Sequence, residues 1–190
     1  MRNVKIQVLA ESAVMLALAF ALSSAKLFEM PLGGSITVAS MLPIMVIGIK
    51  YGAKVGVPTA FIYSVLQALQ ALAQGNVFPY CETPTTLVVC VLFDYIVPFT
   101  VLGLAGIFMK HKNREVGAYL GMCSVVFVRF LSHFITGVVI WGQWAPDGMG
   151  KFLYSFLYNG GFLGVDFAIC ITVAILALRK SEMRKLFGIE

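Results

Sequence analysis

The fold is decided by residues 152–178, which read FLYSFLYNGGFLGVDFAICITVAILAL. Asp166 is the one charged side chain in this stretch, and a continuous apolar run of more than about 18 residues is long enough to cross a bilayer. A β-barrel strand would instead show alternating apolar and polar residues. Because an isolated segment in lipid must satisfy its own backbone hydrogen bonds, the stretch predicts a transmembrane helix.

The rest of the chain has the same character. Of its 190 residues, 59% are hydrophobic and only 12% are charged, against about 25% in soluble proteins. This composition excludes a water-soluble globular domain, a disordered chain and a disulfide scaffold. The apolar segments are 6–27, 36–50, 53–74, 86–109, 116–142 and 152–178. We therefore predict an all-α integral membrane protein with six transmembrane helices, forming a single domain over residues 1–190.

Lysine and arginine are distributed unevenly between the two sides of these segments. If the N-terminus is cytoplasmic, the outer loops hold only Lys26 and Lys151, and Arg129 lies within the fifth segment. The inner regions then hold Arg2, Lys5, Lys50, Lys54, Lys110, Lys112, Arg114, Arg179, Lys180, Arg184 and Lys185. By the positive-inside rule, both termini are predicted to be cytoplasmic. This clustering at segment ends also argues against a nucleic-acid-binding face.

Polar side chains in the last three segments predict a pocket. Asp94, His133 and Asn159 are each predicted to lie roughly 10–14 Å below the outer surface, at about 1.5 Å per helical residue. Trp141 and Tyr154 would lie above them, nearer the exterior. A carboxylate below aromatic faces suits a flat ligand that is cationic or carries an amine. Ionisable residues within the membrane are expensive and indicate function, although each of these residues could instead have a purely structural role.

Other residues within the segments leave alternatives open. Gly137, one helical turn beyond His133, leaves space for a ring. Arg129 and Asp166 lie near mid-membrane, where we interpret them as a buried structural pair; the alternative is a proton or ion relay.

A stripe of small residues runs along the first segment. Ala13, Ala17 and Ala21 recur every four residues and make one smooth helix face. Such a face lets another helix approach closely. It predicts either packing within this bundle or docking of a second membrane protein.

Motifs for catalysis, metal binding and ATP hydrolysis are absent from the sequence. It contains no Walker A, HExxH or GxSxG pattern, and no CxxC pair occurs among Cys81, Cys90, Cys123 and Cys170. We therefore predict a protein that is not an enzyme and that binds no cofactor or metal.

Several motifs together resemble a known family. They are RFLSHFITG at 129–137 followed by Trp141, Tyr154-Ser155, Asn159-Gly160, MPLGGSIT at 30–37, MLPI at 41–44, Phe93-Asp94-Tyr95 and LGLAG at 102–106. Nearly the whole chain resembles the thiamine-specific substrate-binding (S) component of energy-coupling factor (ECF) transporters, the ThiT family.

The resemblance implies a specific function. The protein would be a six-helix, high-affinity thiamine binder in the bacterial cytoplasmic membrane, and it would capture thiamine from outside. It would join a transmembrane coupling subunit and two cytosolic ABC-type ATPases, which alone use ATP.

The resemblance also implies roles for individual residues. The residues implied to bind the vitamin are Asp94 as the acidic group, Tyr95 in the same motif, His133, Tyr154 and Asn159 as polar contacts, Trp141 as a stacking platform and Gly137 for close approach. Ala13, Ala17 and Ala21 would face the coupling subunit. Some family members carry a tryptophan in the first outer loop, which residues 26–40 lack. Phe78 or Tyr80 is expected to supply the missing wall.

Three other functions remain open at this point. The chain could be an S component for another vitamin or a thiamine precursor. It could be a self-sufficient proton-coupled carrier that uses Arg129 and Asp166. It could also be an intramembrane enzyme that uses His133 and Asp94.

Overall fold

The computed structural model describes residues 4–75 and 77–189, so Arg2 of the charge count lies outside the described residues. The helices are α1 (Val4–Ser24), α2 (Leu42–Tyr51), α3 (Ala53–Gln74), α4 (Pro84–Leu104), α5 (Arg114–Val139), α6 (Lys151–Ala177) and α7 (Ser181–Phe187). Short 3-10 turns lie at Pro31–Gly33, Phe78–Tyr80 and Trp141–Trp144. The boundaries of α3 coincide with those predicted, whereas the short C-terminal helix α7 was not predicted.

Five of these helices, α1, α3, α4, α5 and α6, are long and apolar enough to cross a membrane. The protein is therefore a helical membrane protein, as its composition predicts. The predicted second span, 36–50, is divided in the structure. Only Leu42–Tyr51 is helical, and ten residues rise about 15 Å, half of the hydrocarbon thickness.

The first loop of this helical architecture contains a short β-hairpin that was not predicted. Strand β1 (Lys26–Glu29) pairs antiparallel with strand β2 (Ser35–Thr37), with Glu29 opposite Ser35. Strands of three and four residues are too short to show the alternating pattern by which strands are recognised in a sequence. The predicted first outer loop is therefore an ordered hairpin, and β2 accounts for the start of the predicted second span.

Helix α2 forms the centre of the core. Its residues from Leu42 to Ile49 are all buried, and the helix packs against α1, α3 and α4. Small residues allow this close packing, because a Cβ atom built on Gly48 would lie 2.9 Å from the carbonyl carbon of Gly103. Helices in a membrane commonly approach one another at such small residues.

Two groups of hydrogen bonds join helix α1 to the bundle, in addition to the packing of residues such as Ala19 in the core. Near its start, Glu11 accepts hydrogen bonds from Lys50 Nζ at 2.5 Å and Tyr51 OH at 2.6 Å. Near its end, Ser23 accepts a hydrogen bond from Gln67 Nε2 at 2.8 Å. Between these points the predicted stripe of Ala13, Ala17 and Ala21 is exposed. In the described part of the chain, therefore, the stripe does not pack inside the bundle.

Candidate ligand-binding site

A cavity lies between the hairpin and helices α3, α4, α5 and α6. It is lined by all seven residues predicted from the sequence to bind ligand: Asp94, Tyr95, His133, Gly137, Trp141, Tyr154 and Asn159. The helices thus bring a carboxylate, an imidazole and several flat rings to one place.

Asp94 projects from an irregular part of α4. Val91–Ile96 is a π-helical stretch, in which Val97 N donates to Leu92 O instead of Phe93 O. Pro98, which has no N–H, lies just beyond and cannot donate to the carbonyl of Asp94. The Phe93 carbonyl left over by this shift accepts a hydrogen bond from Ser132 Oγ at 2.5 Å. Such π-helical turns often occur at functional sites, because they change the direction of a side chain.

The carboxylate of Asp94 accepts three hydrogen bonds from α5 and the turn that follows it. His133 Nδ1 lies 3.1 Å from Oδ1, and Thr136 Oγ1 also donates to Oδ1. Trp141 Nε1 donates to Oδ2 at 2.9 Å. With both Asp94 and His133 only 9% exposed, these donors support a negative charge in a place with little solvent.

The hydrogen bond to Asp94 also fixes the tautomer of the neutral His133 ring. A carboxylate accepts but does not donate, so Nδ1 of the imidazole carries the hydrogen. In the neutral ring, Nε2 is then an acceptor. Nε2 is buried and has no hydrogen-bond partner among the described residues, and His133 lines the cavity. In the neutral ring, Nε2 is thus a buried acceptor without a partner in the described part of the chain, on a residue that lines the cavity.

Asn159 and Ser155 join α6 to α5 beside this group. Asn159 Nδ2 donates to His133 O at 3.1 Å, and Ser155 Oγ donates to Phe134 O at 2.8 Å. With its amino group used in the bond to His133, Asn159 keeps its side-chain carbonyl as another acceptor at the cavity.

Gly137 lines the cavity and also makes room for α6. A Cβ atom at this position would overlap Ser155 Oγ and would lie 2.8 Å from Asn159 Nδ2. The missing side chain therefore leaves room for α6, and it places the polar groups of α6 against the cavity.

We expect Gly137→Ala to destabilise the protein by about 1–3 kcal/mol, because added atoms in a tightly packed contact force it apart. The measurement is the thermal unfolding midpoint of the purified protein in detergent. Gly161→Ala, on α6, is the matched control, since a Cβ there meets nothing within 4 Å. An equal midpoint for the two variants would contradict the assigned contact.

The hairpin closes the cavity from one side. Leu32, Gly33, Gly34 and Ser35 all line it. Tyr158 OH donates to Pro31 O and accepts from Gly34 N at 3.3 Å, which attaches this loop to α6. The hairpin is thus positioned as a lid over the polar floor.

The aromatic residues of the third loop do not supply the expected wall. Phe78 packs on Tyr95 with ring centroids 5.3 Å apart, and Tyr80 packs on Trp144 at 5.8 Å. Neither ring lines the cavity, whereas Tyr158 and Phe162 of α6 do. The 3-10 turn directs Phe78 onto Tyr95 and Tyr80 onto Trp144 instead of into the cavity, so the prediction was wrong in its residues.

Arg129 and Asp166 do not form the expected direct pair. The guanidinium of Arg129 lies over the ring of Phe99, 4.2 Å from its centroid. Asp166 instead accepts from Thr37 N at 2.9 Å and Thr37 Oγ1 at 2.8 Å, and so anchors β2 to α6. Arg129 lines the cavity, and its Nε and Nη1 have no hydrogen-bond partner among the described residues.

Several residues that line the cavity were not predicted from the sequence. They are Ser23, Lys26, Gln67, Gln70, Gln74, Tyr158 and Phe162. A signal was present for some of them: Tyr154, Tyr158 and Phe162 recur every four residues on one face of α6, and three glutamines share a face of α3. In residues 4–75 and 77–189, no three His, Cys, Asp or Glu side chains are grouped so that they could hold a metal ion.

Comparison with known proteins identifies relatives over nearly the whole chain. A family model described as thiamine transporter protein (Thia_YuaJ) matches residues 9–186. The thiamine transporter ThiT of Bacillus subtilis (strain 168) is 32% identical over 180 residues, which cover 88% of each chain. The thiamine transporter ThiT of Lacticaseibacillus paracasei is 27% identical over 158 residues, 77% of this chain and 74% of the relative.

A solved structure is also similar. It is described as native-SAD phasing for ThiT from Listeria monocytogenes, and it aligns with a TM-score of 0.77 at 25% identity. The alignment covers 97% of this chain and 99% of that chain.

Proposed function

The chain belongs to the thiamine transporter family, and from that membership we propose that it is the high-affinity thiamine-binding S component of an ECF importer. Members of this family are transporters rather than enzymes, and the chain is a multi-pass protein of the bacterial cell membrane. The family match removes the intramembrane enzyme from the candidate functions. The ligand remains chemically unchanged, so the site needs only to bind, orient and enclose it.

The observation that carries the proposal is the buried carboxylate of Asp94 among the rings of one cavity. Thiamine combines a cationic thiazolium with an aminopyrimidine. Asp94 supplies the opposite charge, and the rings of Trp141 and Tyr154 supply faces for stacking and cation–π contact. His133 Nε2 and the Asn159 carbonyl are acceptors suited to an amino group.

The hairpin supplies the means of capture. Its tip is held over the cavity by Tyr158, and its second strand by Asp166. Opening at these few contacts admits the vitamin, and closing removes it from water, which strengthens each electrostatic contact with it. ATP hydrolysis on partner ATPases then drives inward release, without any ATP site on this chain.

We also propose the topology and the docking surface. Six helices form one membrane domain, with the short α2 completed by the hairpin, and both termini face the cytoplasm. The excess of basic residues on the inner side supports this orientation. The exposed alanine stripe of α1 is the surface that we assign to the transmembrane coupling subunit.

Calorimetric titration of the purified protein with thiamine tests the proposed function. We expect saturable binding at one site per chain, with a dissociation constant in the nanomolar range. Riboflavin and a free thiamine pyrimidine precursor are the competitors. The assignment fails if thiamine does not bind while one of these does.

Uptake by vesicles separates the proposal from a proton-coupled carrier. Vesicles that hold this chain without ATPase partners should not accumulate thiamine under a pH gradient. Accumulation under those conditions would favour a carrier in which Arg129 or Asp166 takes part.

A further inference from the structure

A second group of polar side chains lines the same cavity. Gln67, Gln70 and Gln74 lie on one face of α3, spaced three and four residues apart, and we call them the amide wall. Ser23 and Lys26, from the end of α1 and the start of β1, line the cavity beside them. None of these five residues belongs to the group around Asp94, which is carried by α4 and α5.

Hydrogen bonds to the end of α1 and the start of β1 hold the amide wall in place. Gln67 Nε2 donates to Ser23 Oγ at 2.8 Å, and Gln70 Nε2 donates to Ser24 Oγ at 3.1 Å. Gln74 Oε1 accepts from Lys26 Nζ at 2.8 Å. Side chains fixed in this way lose little further freedom when they bind a ligand.

Gln67 keeps one group free for a ligand. Its amino group is used by Ser23, whereas its carbonyl oxygen has no hydrogen-bond partner in the part of the chain that the structure describes. A carbonyl oxygen accepts, so it suits an N–H or O–H group of the ligand. Gln67 is half-buried, so the solvent competes only partly for that bond.

The charges of the cavity decide which part of the ligand reaches this wall. Asp94 attracts a cationic ring, whereas Lys26 at the edge of the amide wall and Arg129 elsewhere in the lining disfavour one. Lys26 Nζ is itself paired with Glu29 Oε1 at 2.6 Å, so the carboxylate of Glu29 offsets its charge. The amide wall therefore consists of neutral amide groups beside an ion pair. A neutral hydroxyl group fits this environment better than a thiazolium.

We propose that the amide wall, chiefly the carbonyl oxygen of Gln67, binds the hydroxyl group of the hydroxyethyl arm of thiamine and so fixes the orientation of the vitamin. The inference rests on the proposed function and adds a specificity determinant to it. In this arrangement the cationic ring lies toward Asp94, and the arm extends toward α3.

The test compares thiamine with an analogue in which the hydroxyethyl arm is replaced by ethyl. The wild-type protein should bind thiamine about 5- to 10-fold more tightly than the analogue, as expected for a neutral hydrogen bond. Gln67→Leu should lose this preference and bind the two ligands equally. Its affinity for the ethyl analogue should stay near that of the wild type, which also shows that the variant is folded.

Gln7→Leu is the matched control. It also replaces a glutamine with leucine, but on α1, where Gln7 donates to Glu11 and does not line the cavity. It should keep the preference. Equal binding of the two ligands by the wild type, or a preference that survives in Gln67→Leu, would overturn the inference. Failure of the wild type to bind thiamine would instead overturn the proposed function, so the two failures are distinguishable.

Discussion

Replacing Asp94 with asparagine is expected to weaken thiamine binding by about 10- to 150-fold, which corresponds to about 1.5–3 kcal/mol for a charge-assisted contact. Asparagine has nearly the same shape but no negative charge to face the thiazolium. It also offers one side-chain oxygen where the carboxylate offers two. Either His133 Nδ1 or Trp141 Nε1 therefore faces an amino group instead of an acceptor. Titration of the purified variant with thiamine measures the effect.

Thr136→Val separates the charge of Asp94 from its internal hydrogen bonds. Valine removes one donor to the carboxylate but leaves the negative charge in place. We expect a loss of thiamine affinity several-fold smaller than that of Asp94→Asn. Equal losses in the two variants would mean that Asp94 acts by ordering the site. Unchanged affinity in Asp94→Asn would remove the carboxylate from the site altogether.

The sequence predicted the charged part of the site because charges are expensive in lipid. Asp94 and His133 stand out in apolar segments, where an ionisable group needs a specific partner. Their spacing from the segment ends was enough to place them at one depth, and in the structure they lie within hydrogen-bond distance of each other. The angular position of Asp94 was not predictable by counting residues, because it depends on the π-helical stretch.

The glutamines of the amide wall were not predicted from the sequence, because uncharged side chains are less conspicuous in an apolar segment. A glutamine carries no charge, so it does not stand out in a helix that still qualifies as a membrane span. Whether Gln67 faces lipid or a cavity depends on where α1 and the hairpin lie. Those positions are set by tertiary contacts such as Gln67 with Ser23, which one-dimensional spacing does not reveal.

The hairpin and the partners of Arg129 and Asp166 were also not predictable from the sequence. Strands of a few residues have too little length for a periodic signal, so β1 and β2 were read as a loop and the start of a span. Once β2 is in place, Thr37 supplies the donors that Asp166 needs. The pairing of Arg129 with Asp166 was predicted because opposite charges at similar depth attract each other, and the competing backbone donor was not visible.

Replacing Ala17 with tryptophan is expected to leave thiamine binding within about twofold of the wild type but to abolish uptake by the assembled transporter. Ala17 is exposed in the middle of the alanine stripe and does not line the cavity. An indole there holds an approaching helix away from the smooth face that close packing requires. The measurement pairs titration of the isolated chain with ATP-dependent thiamine uptake by vesicles that hold the complete complex.

Leu120→Trp provides the control for bulk alone. Leu120 is also exposed, but on α5, away from the face assigned to the coupling subunit. It should keep both binding and uptake, because an indole facing lipid displaces no partner. Uptake that persists in Ala17→Trp would show that the stripe is not the docking surface, and equal loss in both variants would indicate general damage to the membrane domain. Loss of uptake in Ala17→Trp alone, with binding intact, is the result expected if capture and coupling use different faces of the same chain.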